Sequence, residues 1–273
     1  MSFPARPIAY VLSASNHGTM IVNRNDHRMV DAQRGYGVGY QILNNSGFDM
    51  PEVGLVLALL SARRKHFGNG VVAIDGGANI GVHTIEWARH MHGWGRVISF
   101  EAQEFVYYAL AGNVALNNCI NASVRLSALG EKPGELAVPV PDYFKPASFG
   151  SLEMRKSGNT EFIGQQISYD AAACNTVPMV NLDSLALSRL DLIKLDVEGM
   201  EVEVLRGAQS CLRQHRPIIV VEAIKTDKAA MERLLLDLGY RIFPVGMNWL
   251  VVHSSDPTLH SISMKDGNLH LTV

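Results

Sequence analysis

Residues 71–81 read VVAIDGGANIG, an apolar run that ends on Asp75 and breaks into glycines. Four consecutive apolar residues, Val71 to Ile74, suit a strand buried on both faces, and helical spacing restarts at Ile80, so the glycines fall in a tight strand-to-helix turn. Ligand sites of open α/β sheets form at such turns. Residue identities then separate the loops that can read this way. A phosphate-binding loop needs a Gly-Lys-Ser/Thr ending, which is absent, and a dinucleotide loop wants G-x-G-x-x-G, where this chain has Gly76, Gly77 and Gly81 with Asn79 between. The usual diphosphate cradle is therefore missing. An acid at a strand end followed by close-approach glycines suits a cationic or zwitterionic cofactor, and S-adenosylmethionine fits that description. The competing reading is a plain turn whose glycines supply positive φ.

The following strand favours the cofactor. Residues 96–100, RVISF, run into Glu101, twenty residues past Gly81, where nucleoside-binding folds place an acid on the ribose hydroxyls.

Working outward, 273 residues suffice for one large α/β domain with insertions, and 47% apolar with 18% charged residues is an ordinary globular composition. The 24 basic and 26 acidic residues include no dense Lys/Arg block, so nucleic acid is not an expected partner. Cys119, Cys174 and Cys211 are too scattered for a disulfide framework or a zinc cluster, which points to a reducing compartment. The N-terminal apolar run is too short for a signal peptide, and no stretch reaches about 18 uninterrupted apolar residues. The expectation is a soluble, cytoplasmic protein without membrane contact.

Residues 1–48 read as a β-rich leader, and a helix is expected to start at Asp49 and Pro51 and stop by Gly68. From 71 onward strand and helix alternate, which argues a parallel sheet. Strands are expected at 71–75, 96–101, 122–128, 190–197 and 217–221, with helices over 80–92, 104–118, a stretch after Gly199 and one closed by Gly239. YRIFPV and WLVVH, split by Gly246, Met247 and Asn248, read as a terminal antiparallel hairpin. The long departure from alternation, 130–183, holds two β-like pieces, 135–140 and 176–182, around a polar stretch with SFGSL at 148–152; its length suggests a lid or acceptor-binding surface.

Asp75, Glu101, Asp196 with Glu198, and Glu222 each lie at or just past the carboxyl end of a different expected strand, so a parallel sheet gathers them at one edge. Each also reads as a helix-capping acid. For Asp196 that is harder to sustain, because a carboxylate entering the run Leu192, Ile193, Leu195, Val197 needs a partner or a purpose. Lys194, two residues earlier and on the same strand face, is the nearest candidate: an ion pair that orients Asp196, or a direct substrate contact. Glu201 shares a helical face with Glu198 or is a solvated acid. His83, on a polar stripe with Glu86 and His90, reads as a proton acceptor or a half-buried structural histidine. No His or Cys spacing makes a metal site, although carboxylates around Asp196 offer oxygen ligands.

DGGANIG, then FEA at 100–102, then DLIKLDVEGMEVEVLRGA at 191–208 resemble the FkbM family of S-adenosylmethionine-dependent methyltransferases, over roughly residues 71–252. The late motif is the most specific part; Ala102 departs from a frequent proline, and Asn113–Asn118 and SFGSL match loosely. The resemblance implies a class I, Rossmann-like, doubly wound seven-stranded α/β sheet of order 3-2-1-4-5-7-6 with the last strand antiparallel, preceded by the 1–48 leader and forming a domain over 49–273. On that fold Gly76, Gly77, Ala78, Asn79 and Gly81 are expected at the methionine part, Glu101 at the ribose, Ser127 and Ala128 at the adenine, Ala102 among the cofactor contacts, and Asp75 with Asp196 flanking the cleft. Asp196, Glu198 and Lys194 are the expected catalytic residues, with Asp196 or Glu198 as base, and Glu201, Glu222 and His83 the expected acceptor-side residues. The expected activity is O-methyl transfer to a hydroxyl of a sugar or natural product, without a metal. Competing readings are a nicotinamide-dependent oxidoreductase, which Asn79 and the glycine spacing disfavour, and a member that binds cofactor or glycan without catalysis.

Overall fold

The computed structural model describes residues 6–31, 34–265 and 268–271. Seven strands, β1 (Val71–Gly76), β2 (Gly95–Glu101), β3 (Ala122–Leu126), β4 (Leu192–Leu195), β5 (Ile218–Glu222), β6 (Tyr240–Val245) and β7 (Asn248–His253), form one sheet in the order β3-β2-β1-β4-β5-β7-β6. β7 runs antiparallel to both neighbours, and the remaining pairings are parallel. The direction of chain progression reverses between β1 and β4, the place where such sheets open a crevice.

Burial follows the period-two alternation of the strands. Val71, Ala73, Val97, Leu192, Ile218 and Val220 join one core with Val56, Leu59 and Leu60 of α2 (Met50–Phe67), Ile85 and Trp87 of α3 (Val82–His90), and Val106 of α4 (Glu104–Leu116). Val72, Ile74, Ile98, Ile193, Leu195, Ile219 and Val221 face the opposite way, onto α5 (Glu201–Arg206), α6 (Gln209–His215) and α7 (Lys228–Asp237). Helices thus cover both faces, which is why the central strands are apolar without interruption.

Three expectations change. The leader holds the hairpin Tyr10–Ser15/Gly18–Asn23 and the short strands Arg28–Met29 and Gly35–Tyr36, but also a helix, α1 (Val38–Asn45). The stretch after Gly199 is two helices, because the chain breaks at Gly207, where a Cβ would lie 2.4 Å from the carbonyl oxygen of Gly130. The third strand ends at Leu126; Ala128–Leu129 belongs to a second sheet with Gly134–Pro139 and Cys174–Val180. The 130–183 insertion is therefore anchored by its own small sheet, while SFGSL carries a single 3-10 turn, Phe149–Ser151. Among the described residues no helix is long and apolar enough to cross a membrane, and Cys119, Cys174 and Cys211 are free thiols.

Candidate active site

The carboxyl ends of β1, β2, β4 and β5 open on a cavity of about 280 Å³, closed by the start of α2, the first turn of α3 and residues 148–154. That is near the lower end of the roughly 300–1,000 Å³ of small-molecule sites. Strand register explains why distant charges meet here. Asp75 stands between Lys194 on β4 and Ser99 on β2. Its Oδ2 accepts from Thr84 Oγ1 at 2.6 Å, and its Oδ1 is buried with no partner in the chain. A buried carboxylate oxygen without a donor is costly unless a ligand supplies one.

The glycine turn serves packing as much as access. At Gly77, with φ +77°, a Cβ would sit 1.8 Å from the carbonyl oxygen of Asp196, so glycine here lets the β1 turn pass against the end of β4. Gly77, Ala78 and Asn79 line the cavity. Gly76 and Gly81 do not: a side chain at Gly76 would meet Leu129 and Leu195, and one at Gly81 would meet Leu110 of α4. Both were expected at the cofactor, and both serve contacts between elements.

Glu101 is buried, and each of its oxygens takes a backbone donor: Oε2 from Asn79 N–H at 2.9 Å and Oε1 from Gln103 N–H at 2.8 Å. Burial pushes its carboxyl up to about 7, against the pull of those N–H groups. Ala102, Ser127 and Ala128 line the same end. The Ser127 hydroxyl donates to the carbonyl of Pro178 at 2.9 Å, which ties this wall to the insertion sheet.

On and just past β4, Lys194 Nζ lies 3.1 Å from Asp196 Oδ2. Burial alone would lower the lysine's pKa, but Asp196, Glu52 and Asp75 outweigh it and hold it raised, so Lys194 is an ammonium. Asp196, Glu198 and Glu222 bring carboxylate oxygens within 4.8 Å of one another. Burial and the nearby Asp196 charge raise Glu198 well above the usual carboxylate range and push Glu222 up to about 8. One Glu198 oxygen is already held by Lys225 Nζ at 2.5 Å, and no further His, Cys, Asp or Glu among the described residues joins the group; we assign it no ion.

Two expected acceptor-side residues have partners within the chain. Glu201 is buried outside the cavity lining, where its Oε1 accepts from Val197 N–H at 3.1 Å and Gly199 N–H at 3.2 Å and so holds the turn that carries Glu198. His83 does line the cavity, but its Nε2 faces Glu52 Oε1 at 3.2 Å. The polar stripe it seemed to share is dispersed: Glu86 pairs with His17 and His90 with Ser61.

Glu52, Asn248 and Gln103 were not singled out in the sequence. Glu52 receives hydrogen bonds from His83 and from the Asn248 amide. Those partners and Lys194 outweigh its burial and hold its carboxyl down at about 2. Its signal was position: Glu52 follows the helix-start residues Asp49 and Pro51, a place where an acid reads as a dipole partner. Gln103 bridges Glu101 to the insertion, donating to the carbonyl of Phe149 at 2.8 Å and accepting from Tyr143 Oη at 3.2 Å.

With this geometry in view, the model of the methyltransferase FkbM domain matches residues 75–242, more than half of the chain. The chain belongs to the FkbM methyltransferase family. Membership makes it a methyltransferase of the FkbM type, implies S-adenosylmethionine as donor, and removes the nicotinamide oxidoreductase reading. The chain is 26% identical over 197 residues to "Methyltransferase sdnD" of Sordaria araneosa, covering 64% of this chain and 76% of that protein. It is likewise 26% identical over 196 residues to "Methyltransferase 1" of Beauveria bassiana (strain ARSEF 2860), covering 64% and 74%. Among solved structures, methyltransferase FkbM from Methylobacillus flagellatus KT aligns at 17% identity and a TM-score of 0.47, over 72% of this chain and 48% of that one. The Pyrococcus abyssi tRNA (uracil-54, C5)-methyltransferase in complex with S-adenosyl-L-homocysteine aligns at 14% identity and 0.40, over 90% and 44%. The chain thus spans about half the length of these two structures.

Proposed function

We propose that this FkbM-family methyltransferase acts on oxygen, transferring a methyl group to a hydroxyl of a sugar or natural-product acceptor. The observation that carries the reading is the set Asp196, Glu198 and Glu222: three carboxylates with oxygens within 4.8 Å of one another, two of them with raised pKa. A carboxylate whose pKa is raised by burial and a like charge is a stronger base than an ordinary one, which suits a group that takes a hydroxyl proton.

The residues fit the donor. Asp75 Oδ1 is a buried acceptor awaiting a donor, the walls carry Asp and Glu far in excess of the single Lys194, and Phe100, Ala102, Ala128 and Leu129 offer apolar surface to a purine. Bound there, S-adenosylmethionine supplies an electrophilic methyl group on a sulfonium. Glu101 would hold the ribose hydroxyls, the backbone of Gly77 to Asn79 the methionine part, and Ser127 with Ala128 the adenine. His83 and Glu222 hold the acceptor. An acceptor hydroxyl would have to lose its proton as it takes the methyl group, and Asp196 or Glu198 would receive it. Lys194 keeps Asp196 oriented by their 3.1 Å contact. Alignment is the protein's main contribution to such an in-line displacement.

The test is transfer of labelled methyl from S-adenosylmethionine to a panel of glycosides and polyhydroxylated aglycones, with calorimetric titration of S-adenosylhomocysteine alongside. Asp196→Asn is expected to lower turnover by about 10²–10⁴-fold, the usual worth of a general base, with cofactor Kd within about tenfold. Unchanged turnover removes Asp196 from the mechanism, and cofactor binding without transfer by the native protein marks a binder.

A further inference from the structure

Lys225, between β5 and α7, uses its ammonium on three acceptors from two other parts of the chain. Its Nζ lies 2.5 Å from Glu198 Oε2, 2.9 Å from Glu161 Oε2 and 3.0 Å from the carbonyl oxygen of Ser151. Glu198 belongs to the turn after β4, and Ser151 and Glu161 to the insertion. Glu161 Oε1 in turn accepts from Tyr36 Oη at 2.7 Å and from Arg28 Nη1 at 3.3 Å, which draws in the N-terminal segment. Tyr36, Ser151 and Glu198 all line the cavity, whereas Lys225 does not. Glu198 also sits at φ +54°, a left-handed conformation that persists for a non-glycine residue when its surroundings over-determine it. The hydrogen bonds that hold Glu101, from Asn79 and Gln103, do not involve Lys225.

We propose that Lys225 is a positioning residue for the acceptor: its ammonium seats the 151–161 segment and Tyr36 against Glu198 and thereby shapes the acceptor wall from behind. The assignment deepens the methyl-transfer reading and rests on it. A planar guanidinium at this position retains the charge and several donors, while a methionine retains bulk and loses both.

Hydrogen exchange followed by mass spectrometry on the full chain tests the network without any acceptor. In Lys225→Met, exchange should rise at least tenfold in peptides covering 149–163 and 197–201 and stay unchanged in β1 and β4. Glu161→Gln should loosen 28–36 and 149–163 and leave 197–201 alone. With the best acceptor of the panel above, Lys225→Met should raise acceptor KM at least tenfold and by more than it lowers kcat, with the S-adenosylhomocysteine Kd within threefold; Lys225→Arg should restore KM to within threefold of native. A uniform rise in exchange, no rise, or an unmoved KM overturns the proposal. If Lys225→Met does not fold, Glu161→Gln decides by the same exchange pattern and KM. Absence of methyl transfer by the native protein defeats the chemical reading instead, and the exchange pattern still decides the network.

Discussion

Glu101 makes stability depend on pH and, if it holds the cofactor as proposed, ligand affinity as well. Burial raises its carboxyl to about 7, against roughly 4.3 in an unfolded chain. Between those two values the folded protein binds the extra proton, so this group's contribution to stability falls as pH rises from about 4.3 to about 7 and is flat above. Ribose hydroxyls are donors and favour the ionised form, so cofactor affinity should run the other way. The S-adenosylhomocysteine Kd, measured by calorimetry from pH 5.5 to 8.5, should tighten up to about pH 7 and then level. Glu101→Gln should remove that dependence and weaken binding by about tenfold or more, given about 1.5–3 kcal/mol for a hydrogen bond to a charged group. Glu101 was legible in the chain because its place depends on strand length and helix length alone. Glu201 was not, since an acid three residues past Glu198 reads the same whether it faces solvent or closes a buried turn.

Elements were legible where periodicity is strong. Start and stop signals predicted α2, but the helix also buries Arg63, whose role no such signal reveals. Arg63 Nε faces Asp191 Oδ1 at 3.4 Å, its Nη1 pairs with Asp256, and both acids are buried. Asp191 also accepts from Val72 N–H at 2.9 Å, so the arginine ties α2 to β1, to the start of β4 and to the turn after β7. Arg63→Ala leaves Asp256 as a buried charge without this partner and should cost about 3–5 kcal/mol in urea unfolding. The N-cap of α7 is a milder case: Asp227 accepts from Ala230 N–H at 3.0 Å, and Asp227→Ala should cost about 1 kcal/mol. The break at Gly207 was illegible because helical spacing continues across it; the close approach of the Gly130 carbonyl, far away in sequence, requires a residue without a side chain there.

For the whole molecule, the cavity joins β1, β2, β4 and β5 to the insertion and to the start of α2, so a bound ligand should stabilise the chain as a unit. At a hundredfold excess over Kd, S-adenosylhomocysteine should add about 2.7 kcal/mol, read as a shift in the urea midpoint with no change in slope. Unaided, the order of residues decided the alternating sheet, the strand ends that gather Asp75, Glu101, Asp196 and Glu222, and the family, because hydrophobic period and turn chemistry act over a few neighbours. The fold alone decided which polar groups meet: Glu52 with His83, Lys225 with Glu161 and Glu198, Glu201 with its own turn. The first two join residues whose separation along the chain bears no relation to their distance in space, and the third is local but closes only because packing buries the turn: a buried charge takes whichever partner packing brings within reach.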